Sequence, residues 1–99
     1  MSEKEITNAI MQYLKKQPHC FCWKEHGGMY GTAGIPDIIC CYNGRFVTFE
    51  VKAPGGRLTK LQDFVLKRIG QAGGVAVKVS SLDEVKEIIR KMEVASDGD

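Results

Sequence analysis

No run of apolar residues in this 99-residue chain approaches the ~20 that a membrane-crossing helix needs. Nor does it open on a charged stretch followed by an apolar one. Met1-Ser2-Glu3-Lys4-Glu5 begins a polar helix, so no secretory leader is expected and the expected location is the cytoplasm. Charge of one sign is scarce as well. Lys and Arg total 14 against 12 for Asp and Glu, an excess too small to announce a nucleic-acid partner by itself. The usual Cys-x-x-Cys knuckle is missing. A zinc site drawn from His19, Cys20 and Cys22 has Cys-x-Cys spacing, and Cys40 and Cys41 are adjacent. In a reducing compartment a disulfide framework is not expected either. The four cysteines therefore read as buried free thiols at strand positions, with Cys40 and Cys41 on opposite sheet faces. There is no internal repeat. The length supports one small domain over 1–94, with 95–99 as a disordered tail, and a core that buries roughly two-thirds of the chain's surface.

What is present is a run of clearly punctuated elements. Ile6, Ala9, Ile10, Tyr13 and Leu14 recur at helical spacing, and Pro18 lies just beyond Lys15 and Lys16, which predicts a helix over 3–16. On that helix Glu3 falls about 60° from the centre of the apolar stripe and Glu5 about 100° to the other side. Residues 20–26 predict a strand with Cys20, Cys22, Lys24 and His26 on one face. A glycine-rich loop follows, through Gly27, Gly28, Gly31 and Gly34. It is either a plain connector or a bare backbone able to approach a phosphodiester, with Lys24 and His26 ahead of it as candidate phosphate contacts. After a hairpin, Ala53-Pro54-Gly55-Gly56-Arg57 stops any strand. Thr59 and Gln62 have capping-box spacing at the start of a second helix. Leu61, Phe64, Val65, Ile69 and Ala72 are its expected buried stripe, and Gly73-Gly74 its stop. Arg57 and Lys60 at that helix start are candidate phosphate contacts, helped by free backbone N–H groups. A short strand, Val75-Ala76-Val77-Lys78-Val79, and a third helix opened by Ser81 complete the chain.

The hairpin is the centre of the pattern. Asn43-Gly44 lies between two β-rich runs, the strongest short-range signal for a type I′ turn. Counting outward from Tyr42 and Arg45 puts Asp37 opposite Glu50. Cβ atoms so placed are ~5 Å apart, and like charges there are destabilising. The flanking residues are apolar, so the pair is expected to be buried. A divalent cation removes the conflict, and carboxylate oxygens are what Mg²⁺ prefers. The alternative is a solvated Asp37 just outside the strand and an ion pair between Glu50 and Lys52. The residues leave both accounts open.

Pro36-Asp37 followed by Glu50-Val51-Lys52 resembles the signature of the PD-(D/E)xK nuclease superfamily. The wider text resembles the VRR-NUC family within it: Gly34-Ile35-Pro36-Asp37-Ile38, then Phe49-Glu50-Val51-Lys52, then Leu58-Thr59-Lys60-Leu61-Gln62. The resemblance runs from the first helix to about Ser81. It implies an α/β fold of order α-β-β-β-α-β-α, a mixed central sheet flanked by helices. It implies a DNA endonuclease with Mg²⁺ or Mn²⁺ held by Asp37, Glu50, the Val51 carbonyl and a glutamate of the first helix, taken as Glu3. Lys52 would orient or activate the attacking water or stabilise the phosphorane, and Gln62 would point into the site. The same resemblance implies a homodimer acting on branched DNA, a four-way junction or a flap, in phage or prophage DNA metabolism and hence in a host cytoplasm. A non-catalytic nucleic-acid-binding module and a restriction-type nuclease are the rival readings.

Overall fold

The structure, a computed structural model, describes residues 1–25 and 33–97. Seven elements follow in the order α1 (Glu3–Lys15), β1 (Cys20–Lys24), β2 (Ile38–Tyr42), β3 (Arg45–Val51), α2 (Lys60–Gln71), β4 (Val75–Val79) and α3 (Leu82–Asp97). This is the expected α-β-β-β-α-β-α order.

Local chemistry sets most boundaries. The Ser2 hydroxyl accepts from Glu5 N–H at 3.2 Å, and Glu5 Oε1 accepts from Ser2 N–H at 3.2 Å, closing a capping box on α1. Ile6, Ile10 and Leu14 then bury one face, while Thr7 satisfies its hydroxyl on the Glu3 carbonyl at 2.7 Å. At the hairpin tip Asn43 has φ 51° and Gly44 φ 82°, the two positive values a type I′ turn demands. Thr59 and Gln62 form the second capping box, and Ser81 Oγ accepts from Glu84 N–H at the start of α3. α3 continues to Asp97, into the 95–99 stretch expected as a tail. Ala95 favours helix, and the first glycine comes only at position 98.

The described strands form one sheet in the order β1-β2-β3-β4. β2 pairs antiparallel with β1 and β3, and β3 pairs parallel with β4. The hairpin register runs from Tyr42↔Arg45 to Ile38↔Phe49, as counted from the turn. On one face Ile38, Cys40, Val47, Phe49, Val51 and Val79 pack beneath α1 and α3 through Ile6, Ile10, Leu14, Val85 and Ile89.

The other face is covered less completely. α2 packs chiefly on β4, and of its residues only Leu66 is fully buried. The stripe expected to be buried is corrected here: Leu61 is 46% exposed and Phe64 55%, Ala72 is exposed, and Val65 and Ile69 are half-buried. One helix cannot roof four strands. Phe21, Cys41 and Phe46 are cross-strand partners in a row over β1, β2 and β3, and all three are exposed. Exposed Cys41 and half-buried Cys20 thus depart from the reading of four buried thiols, although Cys41 does face away from Cys40, which is buried.

Candidate metal and phosphate site

Asp37 is held by the segment that precedes it. Gly34 has φ +83°, and a Cβ there would sit 2.7 Å from Leu61 Cγ and 3.0 Å from Val65 Cγ2. Only glycine permits both the left-handed backbone and the close approach to α2. Pro36 is buried, and Asp37 follows at the lip of β2, half-buried and one residue outside the strand. Its Oδ2 accepts from the Val51 N–H at 2.7 Å, while its carbonyl accepts from the Glu25 N–H at 2.7 Å. Asp37 is thereby tied to β3 and to the end of β1. It lies just outside the strand, as the alternative account expected, yet its carboxylate is fastened to Val51, the residue after Glu50.

Glu50 is 3% exposed, on the sheet face that carries α2. Burial pushes its carboxyl up to about 7; the Asp37 charge pushes the same way, and Lys52 opposes them in part. The Lys52 ammonium stands 3.8 Å from Glu50 Oε1, too long for a tight charge-assisted hydrogen bond. The nearer partner is Gln62, whose Nε2 donates to Glu50 Oε1 at 3.0 Å while its Oε1 accepts from the Thr59 N–H at 2.9 Å. The capping role and the inward-pointing role of Gln62 are therefore met at once, one by each end of the amide. The cap fixes the side chain whose other end reaches the acid.

On the other side of Asp37 lies a cavity of about 150 Å³. Glu3, Asp37, Val51, Lys24 and Glu25 are among its lining residues. Glu5 does not line it; the Ser2 capping box engages its carboxylate. Geometry thus places Glu3, and not Glu5, beside Asp37 and Val51. The pattern Ser2-x-x-Glu5 is itself a capping-box signature, a sequence signal able to separate the two acids.

Arg57 and Lys60 are exposed on the connection to α2 and at its first residue. The backbone groups beside them are not all free, because the Gln62 N–H is already bonded to Thr59 Oγ1. His26 and the glycines at 27, 28 and 31 lie outside the described residues. Lys78 went unnoticed in the sequence. Parallel pairing sets it beside Glu50, and its ammonium donates to the Gly56 carbonyl at 2.8 Å, holding the loop that leaves the site. Its place among alternating apolar residues of β4 was the available signal.

No family model matches the chain, and no curated protein matches it. A solved structure named VRR_NUC domain protein does. It superposes with a TM-score of 0.74 over 91% of this chain and 86% of that one, at 21% identity. The fold is that of a VRR_NUC domain protein. With 91% of the chain covered, the likeness is not confined to a shared hairpin.

Proposed function

We infer that this chain is a metal-dependent deoxyribonuclease that hydrolyses phosphodiester bonds. The observation that carries the reading is Glu50: a carboxyl buried to 3% exposure, raised by its surroundings, and opposed to a second acid that is fastened in place. A structural acid gains nothing from such an arrangement, whereas a pair of oxygen donors at a strand end suits a hard divalent ion. Asp37, Glu50, the Val51 carbonyl and Glu3 would hold Mg²⁺ or Mn²⁺. When bound, the ion supplies a water of lowered pKa and neutralises charge on the scissile phosphate. Gln62 keeps Glu50 in one rotamer through the 3.0 Å bond, and Lys52, on the same strand face, brings a cation to the place where phosphate charge develops. Lys24 in the cavity wall, with the exposed Arg57 and Lys60 where α2 begins, would offer the backbone of a strand its electrostatic contacts. The resemblance of the name VRR_NUC to a nuclease family supports the same class.

The substrate reading is branched DNA, a four-way junction or flap, cut by a homodimer. Two features support it. A single domain of this size grips little duplex by itself, and a two-fold dimer suits a substrate with two-fold symmetry. The uncovered row of Phe21, Cys41 and Phe46, with Trp23 43% exposed beside it, gives a second copy an apolar surface to cover. The test is incubation with labelled linear, flap and four-way-junction DNA in Mg²⁺, Mn²⁺ or chelator. Cutting of a branched substrate that requires metal and disappears in Lys52→Ala, with the fold intact by circular dichroism, is expected. Activity persisting in chelator or in Lys52→Ala removes the mechanism.

A further inference from the structure

Three of the four cysteines converge away from the acid pair. Cys22 and Cys40 are directly opposed across the β1–β2 ladder, and Cys20 lies two residues along β1 on the same face, beneath α1. Their sulfurs all lie within 4.8 Å of one another, although Cys20 and Cys40 are far apart in sequence. We propose that Cys20, Cys22 and Cys40 form a binding site for a thiophilic d¹⁰ cation, Zn²⁺ or Cu⁺, that clasps β1 to β2.

Three points support it. Ordinary buried thiols are interchangeable with aliphatic side chains and need not meet, yet these three make a triangular donor set while Cys41 is turned to the opposite face. The triangle is close to the right size. A Zn–S bond of about 2.3 Å places sulfurs about 3.8 Å apart, so from the 4.8 Å limit each needs to move inward by about 0.6 Å at most, within reach of a small χ1 change. Finally, Cys20 is half-buried at the strand end, which gives an ion and the departing protons a way in and out. Each coordinating thiol surrenders its proton to solvent as its sulfur binds. Burial raises both the Cys20 and the Cys40 thiols. All-thiolate donors select Zn²⁺ and Cu⁺ over the Mg²⁺ or Mn²⁺ of a carboxylate site. A three-sulfur shell suits Cu⁺ directly, and Zn²⁺ with solvent as its fourth ligand.

The test uses the full chain, stripped of metal and reduced with a phosphine. One arm titrates Co²⁺ as the spectroscopic stand-in for Zn²⁺ and reads the thiolate-to-metal charge-transfer band. The other titrates Cu⁺ against a chromophoric Cu⁺ chelator. Saturation at one ion per chain in either arm supports the site and says which ion it takes. Losing an outer-shell partner of a metal ligand costs roughly 10–100-fold, so losing a ligand in Cys20→Ser is expected to weaken binding at least about 100-fold. Cys41→Ser and Asp37→Asn keep wild-type binding, the latter because this site is independent of the nuclease reading. Cys20 is half-buried, so its serine variant is expected to fold where Cys40→Ser in the core is not assured to; near-ultraviolet circular dichroism checks this. Absence of a thiolate band together with no Cu⁺ retention overturns the proposal, as does unchanged binding in Cys20→Ser or an equal loss in Cys41→Ser.

Discussion

Replacing Glu50 by glutamine isolates the electrostatic conflict on which the functional reading rests. The amide is nearly isosteric, and its carbonyl can still accept from Gln62 Nε2, which now donates to Glu50 Oε1 at 3.0 Å. What disappears is an acid whose carboxyl is raised from an ordinary 4.5 to about 7 in the fold. The sign follows from proton linkage. Between those two values the folded chain binds more protons at this group than the unfolded chain, so stability falls as pH rises through the window. It is level below the unfolded value and level again above about 7. At 1.36 kcal/mol per unit, the full span corresponds to about 3 kcal/mol, and relaxation of the site brings the expected loss to about 2–3 kcal/mol. For a domain of this size that is a shift of roughly 8–24 °C in Tm. Urea unfolding in chelator at about pH 5 and about pH 8 measures it. Groups common to both proteins cancel in the difference. Glu50→Gln is therefore expected to match wild type near pH 5 and exceed it near pH 8. Adding Mg²⁺ or Mn²⁺ at pH 8 is expected to restore wild type by about 2.7 kcal/mol at a hundredfold excess over Kd, and to leave Glu50→Gln unmoved. A pH difference between the two proteins below about 0.5 kcal/mol, or a variant less stable than wild type at pH 8, refutes the reasoning.

Gly34→Ala is expected to cost about 2–4 kcal/mol in denaturant unfolding, from the left-handed backbone and the 2.7 Å approach to Leu61, and a loss under 0.5 kcal/mol contradicts that packing. Thr59→Ala removes the cap on the Gln62 N–H and is expected to lower stability by about 1 kcal/mol by thermal scan; a neutral result means the capping box carries no energy. Phe21→Ser combined with Phe46→Ser is expected to convert a dimer to a monomer in sedimentation while moving stability by no more than about 0.5 kcal/mol, since both rings are exposed. A wild-type chain that sediments as a monomer ends the dimer reading.

The parts legible in the sequence are those set by near neighbours along the chain. Asn43-Gly44 dictates its turn because each residue's own backbone preference is enough, and the turn then fixes the count that opposes Asp37 to Glu50. Capping at Thr59 and Ser81 is equally local, because donor and acceptor lie three residues apart. Ser2 with Glu5 follows the same rule and separates Glu3 from Glu5.

What sequence spacing does not carry is which face of an element meets which neighbour. Helical periodicity marks an apolar stripe on α2, but the depth of its burial depends on how much sheet lies beneath it. α1 and α3 take one face while α2 stands over β4, which leaves Leu61 and Phe64 uncovered. Lys78 comes to stand beside Glu50 in the sheet only through parallel pairing across the β3–β4 crossover. Cys40 joins Cys20 and Cys22 only because β1 and β2 align. Each of these contacts spans a loop whose closure no local pattern encodes, so it is settled when the whole apolar surface finds its cover.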